Sequence, residues 1–132
     1  MKNVQAGSSV SPLQVLDVLS DRISVDMFSA IAEEVNTSDN IIQLLGVTGK
    51  QYYARHSDLL KTGLIKRRHS ELTLTSFGRL IYQALLIIAT ACKYSSELMM
   101  IDAVISTAGI PDNERKDVID KLISDPRIKK LL

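Results

Sequence analysis

The spacing of apolar residues predicts a chain that is mainly helical and contains one short hairpin. Apolar side chains recur at intervals of three and four over most of the sequence, which is the period of an amphipathic helix. Around 64–74 they alternate with polar residues, as in two short strands that flank a tight turn at His69-Ser70. Capping residues, glycines and prolines define the boundaries. We predict helices that begin at Ser11-Pro12, Ser24, Ser38, Thr48 and Thr75, strands over 64–68 and 72–74, later helices near 97–107 and 112–124, and a break at Asp125-Pro126.

The composition is that of an ordinary folded protein. The 132 residues are 45% apolar and 23% charged, which suits one domain and argues against disorder. The single cysteine, Cys92, excludes a disulfide framework and fits a reducing cytoplasm. Residues 1–10 lack the apolar core of a signal peptide, so we expect a flexible tail there. The most apolar run, 80–92, is shorter than the roughly 20 residues that span a bilayer, which argues against a membrane role.

Positive charge is concentrated in the middle of the chain, although the net charge is only +1. Residues 46–79 contain seven bases and two acids, whereas the rest of the chain contains nine bases and thirteen acids. The excess lies on one predicted helix and the hairpin that follows it. Such a local basic patch is typical of a surface that contacts a polyanion. The seven bases are Lys50, Arg55, Lys61, Lys66, Arg67, Arg68 and Arg79.

Two motifs in this basic segment resemble those of the winged helix-turn-helix family of DNA-binding proteins. In the first, Leu59 is followed after three residues by Gly63-Leu64-Ile65, which resembles the end of the family's recognition helix. In the second, Leu74-Thr75 and then Gly78 resemble the strand that leaves the wing and the start of the next helix. The resemblance covers about 24–82. It implies a winged helix-turn-helix domain over 11–78, with a long helix and a helical extension over 79–132.

Two longer stretches resemble a narrower group. The sequence "GKQYYARHSDLL" and the tail "IPDNERKDVIDKLISDPRIKKLL" are similar to a group of small archaeal winged-helix proteins regarded as transcriptional regulators. This likeness implies a regulator that binds double-stranded DNA and resides in the cytoplasm with the nucleoid.

The helix predicted to begin at Thr48 has an apolar side and a polar side. With about 100° between residues, Tyr52, His56 and Leu59 face the core, and we expect His56 to be a packed core histidine. The resemblance implies that the outward face enters the major groove, where glutamine can pair with adenine and lysine with guanine. Its residues could equally bind phosphates or form only a solvated face. The residues expected to contact DNA are Lys50, Gln51, Tyr53, Ala54, Arg55, Ser57 and Lys61, with Asp58 at the edge of the footprint.

The tip of the predicted hairpin carries Lys66, Arg67, Arg68 and His69 in succession. Because side chains alternate along a strand, Lys66 and Arg68 share one face and Arg67 takes the other. Bases on both faces suit a wing that lies along the sugar-phosphate backbone, and the short turn favours this over deep insertion into the minor groove. We therefore expect all four residues to contact DNA. The alternative is an edge strand that its charge keeps soluble.

The helix predicted after the hairpin is apolar on almost every side, so something must cover it. The cover is either the C-terminal helices of the same chain or the same helix of a second subunit. We favour a homodimer, because winged-helix regulators often dimerise in this way and two-fold symmetry would present two recognition helices to adjacent half-sites. The expected interface residues are Tyr82, Leu85, Leu86, Ile88, Ala89 and Cys92.

The residues that catalysis requires are not grouped along the sequence. The two histidines and one cysteine form no metal-binding pair, and no Gly-rich phosphate loop is present. We therefore expect no enzyme, no catalytic residue, no metal and no other cofactor, whereas the sequence leaves a small-molecule effector open. The alternative function is a winged-helix module that docks on another protein within transcription or chromosome machinery. The scarcity of aromatic anchors other than Tyr53 favours DNA.

Overall fold

The computed structural model describes residues 9–109 and 111–132. In this part of the chain helices dominate and two strands form an antiparallel hairpin, which confirms the expected class, mainly α with a small β-hairpin. The tail expected over 1–10 lies outside the described residues, apart from Ser9 and Val10. The elements are α1 (Pro12–Leu19), α2 (Arg22–Ala32), α3 (Ser38–Leu45), α4 (Gly49–Thr62), β1 (Ile65–Arg68), β2 (Glu71–Leu74), α5 (Ser76–Lys93), α6 (Ser95–Ala108), α7 (Asp112–Leu122) and α8 (Pro126–Lys129).

The chain divides after Tyr82 into two compact units. The N-terminal unit contains α1 to β2 and the start of α5, and the C-terminal unit is Gln83–Leu132. The division lies inside α5, one helical turn after the boundary expected at residue 78.

Local capping signals determine where most helices begin. Ser11 caps α1 and Thr48 caps α4, each in a capping box with a glutamine three residues later. The side-chain oxygens of Gln14 and Gln51 accept the backbone N–H of the capping residue at 2.7 and 3.0 Å respectively. These helix starts agree with the sequence predictions.

The predicted start of the second helix at Ser24 is wrong. Helix α2 begins at Arg22 because Asp21 caps it, with Oδ2 accepting the Ser24 N–H at 3.0 Å. Ser24 lies inside the first turn, is 2% exposed, and donates its hydroxyl to the same carboxylate at 3.2 Å. Aspartate and serine are both good caps, and the earlier one starts the helix here.

The N-terminal unit has a continuous apolar core. Side chains from α2, α4 and both strands are fully or almost fully buried, and the largest of them are Tyr52 and Phe28. The rings of Phe28 and Tyr82 pack in a T-shaped arrangement with 5.9 Å between centroids, which joins the start of α5 to this core. The buried apolar residues are Val15, Met27, Phe28, Ala30, Ile31, Ile41, Tyr52, Leu59, Leu64, Ile65, Leu72 and Leu74.

The hairpin pairs Ile65 with Leu74 at its base and Arg68 with Glu71 at its tip. The two-residue turn is at His69-Ser70, as predicted, and His69 has a φ of 60°, the sign that two-residue hairpin turns require at this position. On the outer edge of β2, the Leu72 N–H donates to the Asn36 carbonyl at 2.8 Å. The connection between α2 and α3 is therefore tied to the hairpin.

The end of α4, the end of β2 and the start of α5 meet at Thr75 and Gly78. The Thr75 hydroxyl donates to the Gly63 carbonyl, and its oxygen accepts the Gly78 N–H at 2.9 Å. A Cβ at Gly78 would collide with the backbone carbonyl of Leu64, so only glycine allows this close approach. The two motifs that resemble the winged-helix family therefore pack against each other: Thr75 and Gly78 of the second contact Gly63 and Leu64 of the first.

The C-terminal unit packs α6, α7 and α8 around four buried isoleucines. Ile87 of α5 is half-buried against this cluster, and the hydroxyls of Tyr94 and Ser124 are hydrogen-bonded at 2.8 Å. The break predicted at Asp125-Pro126 is also the start of the short helix α8, which Asp125 caps. The buried isoleucines are Ile101, Ile119, Ile123 and Ile128.

Candidate nucleic-acid interface

Helix α4 has one buried and one exposed side, as its sequence predicts. Thr48 caps its start, and Gly63 ends it in the left-handed conformation with a φ of 81°. Tyr52, His56 and Leu59 are buried on the core side, which confirms the expected stripe. The Tyr52 hydroxyl is hydrogen-bonded to Ser38 at 2.7 Å, and burial raises the pKa of Tyr52. This contact holds α3 against α4.

The outward side of α4 carries most of the residues that the sequence proposes for DNA contact. Gln51 is exposed, but its Oε1 accepts the Thr48 N–H in the capping box, so the side chain is not free to pair bidentately with adenine in this conformation. The Thr-x-x-Gln spacing is a sequence signal for this capping role. Lys50, Gln51, Tyr53, Ala54, Asp58 and Lys61 are exposed, and Ser57 is half-buried.

Arg55 is held by Asp21, the residue that caps α2. Its Nε and Nη2 donate to the two carboxylate oxygens at 3.0 and 3.2 Å. The hydrogen bond from Arg55 is the main reason that the pKa of Asp21 is lowered to about 2, and the Ser24 N–H contributes further. The charge that was expected to contact phosphate is therefore compensated within the chain. Sequence reasoning missed this pair because the two residues are 34 positions apart.

Acidic residues border α4 on the side of α1 and α2. Asp17, Asp21 and Asp58 line one shallow cavity together with Ala54 and Arg55. Carboxylates repel phosphate, so this side of the helix is unsuited to DNA. Lys50, Tyr53 and Lys61 of the outward face do not line this cavity.

The two faces of the hairpin carry different residues. Lys66, Arg68, Glu71 and Thr73 share the outer face, where Lys66 and Arg68 are exposed and form no ion pair with any carboxylate in residues 9–109 or 111–132. Arg67 lies on the inner face with the buried Leu72, to which it is directly paired. The predicted alternation is confirmed.

The inner-face arginine contacts α4. Arg67 Nη2 lies 3.2 Å from Nε2 of His56, which is 6% exposed. Burial is the main cause that lowers the pKa of His56, and the nearby guanidinium lowers it further. His56 is thus a packed core histidine, as expected, and its outward nitrogen faces the hairpin. The basic hairpin therefore lies beside α4.

The residues expected at a dimer interface have different environments. The Tyr82 hydroxyl donates to Glu33 at 3.4 Å and its ring contacts Phe28, so it belongs to the core of the N-terminal unit. Leu85 and Leu86 are half-buried, whereas Ile88, Ala89 and Cys92 are exposed. Sequence reasoning omitted Leu80, which is 72% exposed and, at a spacing of four residues, is in line with Ala84 and Ile88.

Neither a metal site nor a membrane span is found in the part of the chain that the structure describes. No group of three or more histidine, cysteine, aspartate or glutamate residues in that part could hold a metal ion. None of its helices alone is long and apolar enough to cross a membrane; α5 and α6 meet that criterion only as a pair, with a bend of 63° between them.

Comparison of this protein with protein-family models, with curated proteins and with solved structures found no match.

Proposed function

We propose that this protein is a winged helix-turn-helix transcriptional regulator that binds double-stranded DNA. The order of elements supports the proposal, because α2, α3 and α4 are followed by the hairpin and then by a long helix. A turn of three residues separates α3 from α4, as in a helix-turn-helix. The hydrogen bond from the Leu72 N–H to the Asn36 carbonyl attaches the hairpin to the connection between α2 and α3.

The observation that carries the proposal is the contact between Arg67 and His56. Because it brings the hairpin against α4, the basic residues of the hairpin and those of α4 lie on adjacent elements of the N-terminal unit. In this arrangement α4 would enter the major groove, and the hairpin would lie along the phosphates.

The proposed contacts are fewer than the sequence suggested. Arg55 is paired with Asp21, Gln51 caps its own helix, and Arg67 is bonded to His56. Phosphate contact is therefore proposed for exposed bases that form neither an ion pair nor a side-chain hydrogen bond in the described residues, and base contact for Lys50 and Tyr53 at the exposed start of α4. The proposed DNA-contacting residues are Lys50, Tyr53, Lys61, Lys66, Arg68 and His69.

A salt series tests the proposal. The full chain is titrated onto a fluorescent random-sequence duplex at several salt concentrations, because phosphate contacts give a linear fall of log K with log salt. The double variant Lys66→Gln/Arg68→Gln should lower the slope by about two, since about one unit is lost for each phosphate contact. Lys121→Gln, an exposed base in the C-terminal unit, is the control and should leave the slope unchanged. The same slope in parent and double variant would rule out the hairpin as the DNA-contacting element.

A homodimer is proposed as the binding form. The support is the row of apolar side chains on α5, in which Leu80 and Ile88 are 72% and 54% exposed. In a dimer the same row of a second subunit would cover these side chains. Sedimentation equilibrium of Leu80→Glu/Ile88→Glu should give the mass of one chain, whereas Lys93→Glu, at the end of the same helix, should keep the mass of two. A parent of single-chain mass would exclude the dimer.

A second candidate is a module that docks on another protein. Leu13 and Leu16 of α1 and Leu44 of α3 are 76%, 59% and 61% exposed, and apolar side chains at such exposure favour a protein partner. This candidate predicts that the chain binds no duplex even at low salt, so the same titration separates the two functions.

A further inference from the structure

Two adjacent arginines of the hairpin differ in what they touch. Arg67 and Arg68 are the same residue type on one strand, yet Arg67 is on the inner face and Arg68 on the outer face. Ile65 and Leu72 on the inner face are each 2% exposed, so Arg67 continues an apolar face with a charged side chain. Its guanidinium reaches His56 on α4. Arg68 has no such partner among the described residues.

The chemistry of the two groups fixes the direction of the hydrogen bond. A guanidinium is always protonated in a protein and has only donors, so His56 Nε2 must be the acceptor and its ring must be neutral. The ring proton is then on Nδ1. A protonated His56 would offer a second donor to Arg67 and place two positive charges 3.2 Å apart. The bond therefore exists only with neutral His56.

Although Arg67 is exposed to solvent, no carboxylate of the described residues competes for this bond. The groups near His56 are the rings of Tyr52 and Tyr53 on its own helix, 5.5 and 5.9 Å away between centroids, and Arg67 from β1. The Tyr52 hydroxyl is already bonded to Ser38, and no carboxylate of the described residues pairs with His56 or Arg67. The guanidinium and the imidazole are thus each other's polar partner at this position.

We propose that Arg67 is a positioning residue, whose hydrogen bond to His56 holds the hairpin against α4 so that Lys66 and Arg68 face DNA together with the start of that helix. This inference rests on the proposed function for its last step, the contact with DNA. The two neighbouring arginines then have different roles: Arg68 neutralises a phosphate, and Arg67 orients the strand that carries Arg68.

The test compares Arg67→Gln with its neighbour Arg68→Gln in the full chain. Each variant loses one positive charge from the same strand, so the two variants are matched in charge. The salt dependence of binding to a random-sequence duplex then distinguishes a residue that binds phosphate from one that only positions the hairpin. Arg68→Gln should lower the log–log slope by about one. Arg67→Gln should keep the parent slope and lower the affinity by the same factor at every salt concentration, because the contacts are misaligned but not removed.

A second readout does not involve DNA. Titration of the His56 ring by NMR should give a higher pKa in Arg67→Gln than in the parent, since a positive neighbour has been removed, and no change in Arg68→Gln. His56→Gln, which retains an acceptor for Arg67, should bind DNA more tightly than His56→Phe, which does not. Thermal denaturation identifies any variant that has lost its fold.

The outcomes separate the two proposals. If Arg67→Gln lowers the slope by about one and leaves the His56 pKa unchanged, Arg67 is a phosphate ligand and this inference is wrong. If the His56 pKa rises but the parent binds no duplex, the contact between the hairpin and α4 stands, whereas the proposed function and the role of this contact in DNA binding both fail.

Discussion

The two units of the chain bury their apolar residues to different extents. In the N-terminal unit most core side chains are 0–8% exposed, and they come from helices and both strands. In the C-terminal unit four isoleucines are buried, while Met99 and Met100 remain 65% and 51% exposed. A unit of this small size has little interior for its surface area. The comparison indicates that the N-terminal unit has the larger core, built from both helices and strands, although both units leave apolar side chains exposed, such as Leu80 in the first and Met99 in the second.

Of the substitutions proposed for the two units, adding one methyl group at Gly78 should destabilise the protein most. Gly78→Ala would force its Cβ against the Leu64 carbonyl, and neither backbone can move away without displacing α5 or the hairpin. We expect the free energy of unfolding to fall by about 3 kcal/mol, measured by urea denaturation.

Gly49→Ala is the matched control for this substitution. A Cβ at Gly49 has nothing within 4 Å, and the residue is in the first turn of α4. We expect a gain of up to about 1 kcal/mol, because alanine loses less backbone entropy in a helix. Equal stability of the two variants would contradict the close approach of α5 to Leu64.

A cavity in the C-terminal unit should lower the free energy of unfolding by less than Gly78→Ala does. Ile123→Ala removes a side chain that is 1% exposed, but several side chains packed against this cluster are only half-buried and can move into the space. We expect a loss of about 2 kcal/mol, at the low end for such substitutions. Hydrogen exchange should accelerate after residue 82 and remain unchanged before it, whereas Met99→Ala, at an exposed position, should change neither. Acceleration along the whole chain would show that the two units unfold together.

A smaller effect is expected at Asp21, which caps α2 and pairs with Arg55. Because the pKa of Asp21 is depressed from 3.8 to about 2 when the protein folds, its contribution to stability is present above pH 4 and is lost as the pH falls towards 2. Since the side chain is 38% exposed, solvent screening reduces this contribution to about 1 kcal/mol. At neutral pH, Asp21→Asn should lower the free energy of unfolding by that amount. The stability of this variant should also fall less than that of the parent as the pH drops from 4 towards 2, as measured by thermal denaturation across pH.

Asp26→Asn provides the comparison for Asp21. It removes the partner of Arg22, an exposed pair at 3.8 Å on the surface of the same helix. We expect a change of less than about 0.5 kcal/mol. A larger loss here than at Asp21 would mean that the cap and the pair with Arg55 contribute little.

The elements were predictable because their signals are local. A cap and its glutamine are three residues apart, a left-handed glycine ends its own helix, and strand alternation needs only a few residues. These signals identified α1, α3, α4, the hairpin and α5. They failed at α2, where two suitable caps, Asp21 and Ser24, lie within one turn of each other. The capping role of Gln51 was also readable in the sequence, but competing roles for the same side chain hid it.

The sequence alone determined where the helices and strands lie and which side of each is apolar, because these properties depend on residues within about four positions. Only the tertiary structure decided which cations are free, because a charge is compensated by whatever packing brings near it. Asp21 reaches Arg55 across 34 residues, and His56 reaches Arg67 between a helix and a strand. Of the lysines and arginines that the sequence assigned to DNA, these contacts leave Lys50, Lys61, Lys66 and Arg68 as the exposed bases with neither an ion pair nor a side-chain hydrogen bond in the described part of the chain.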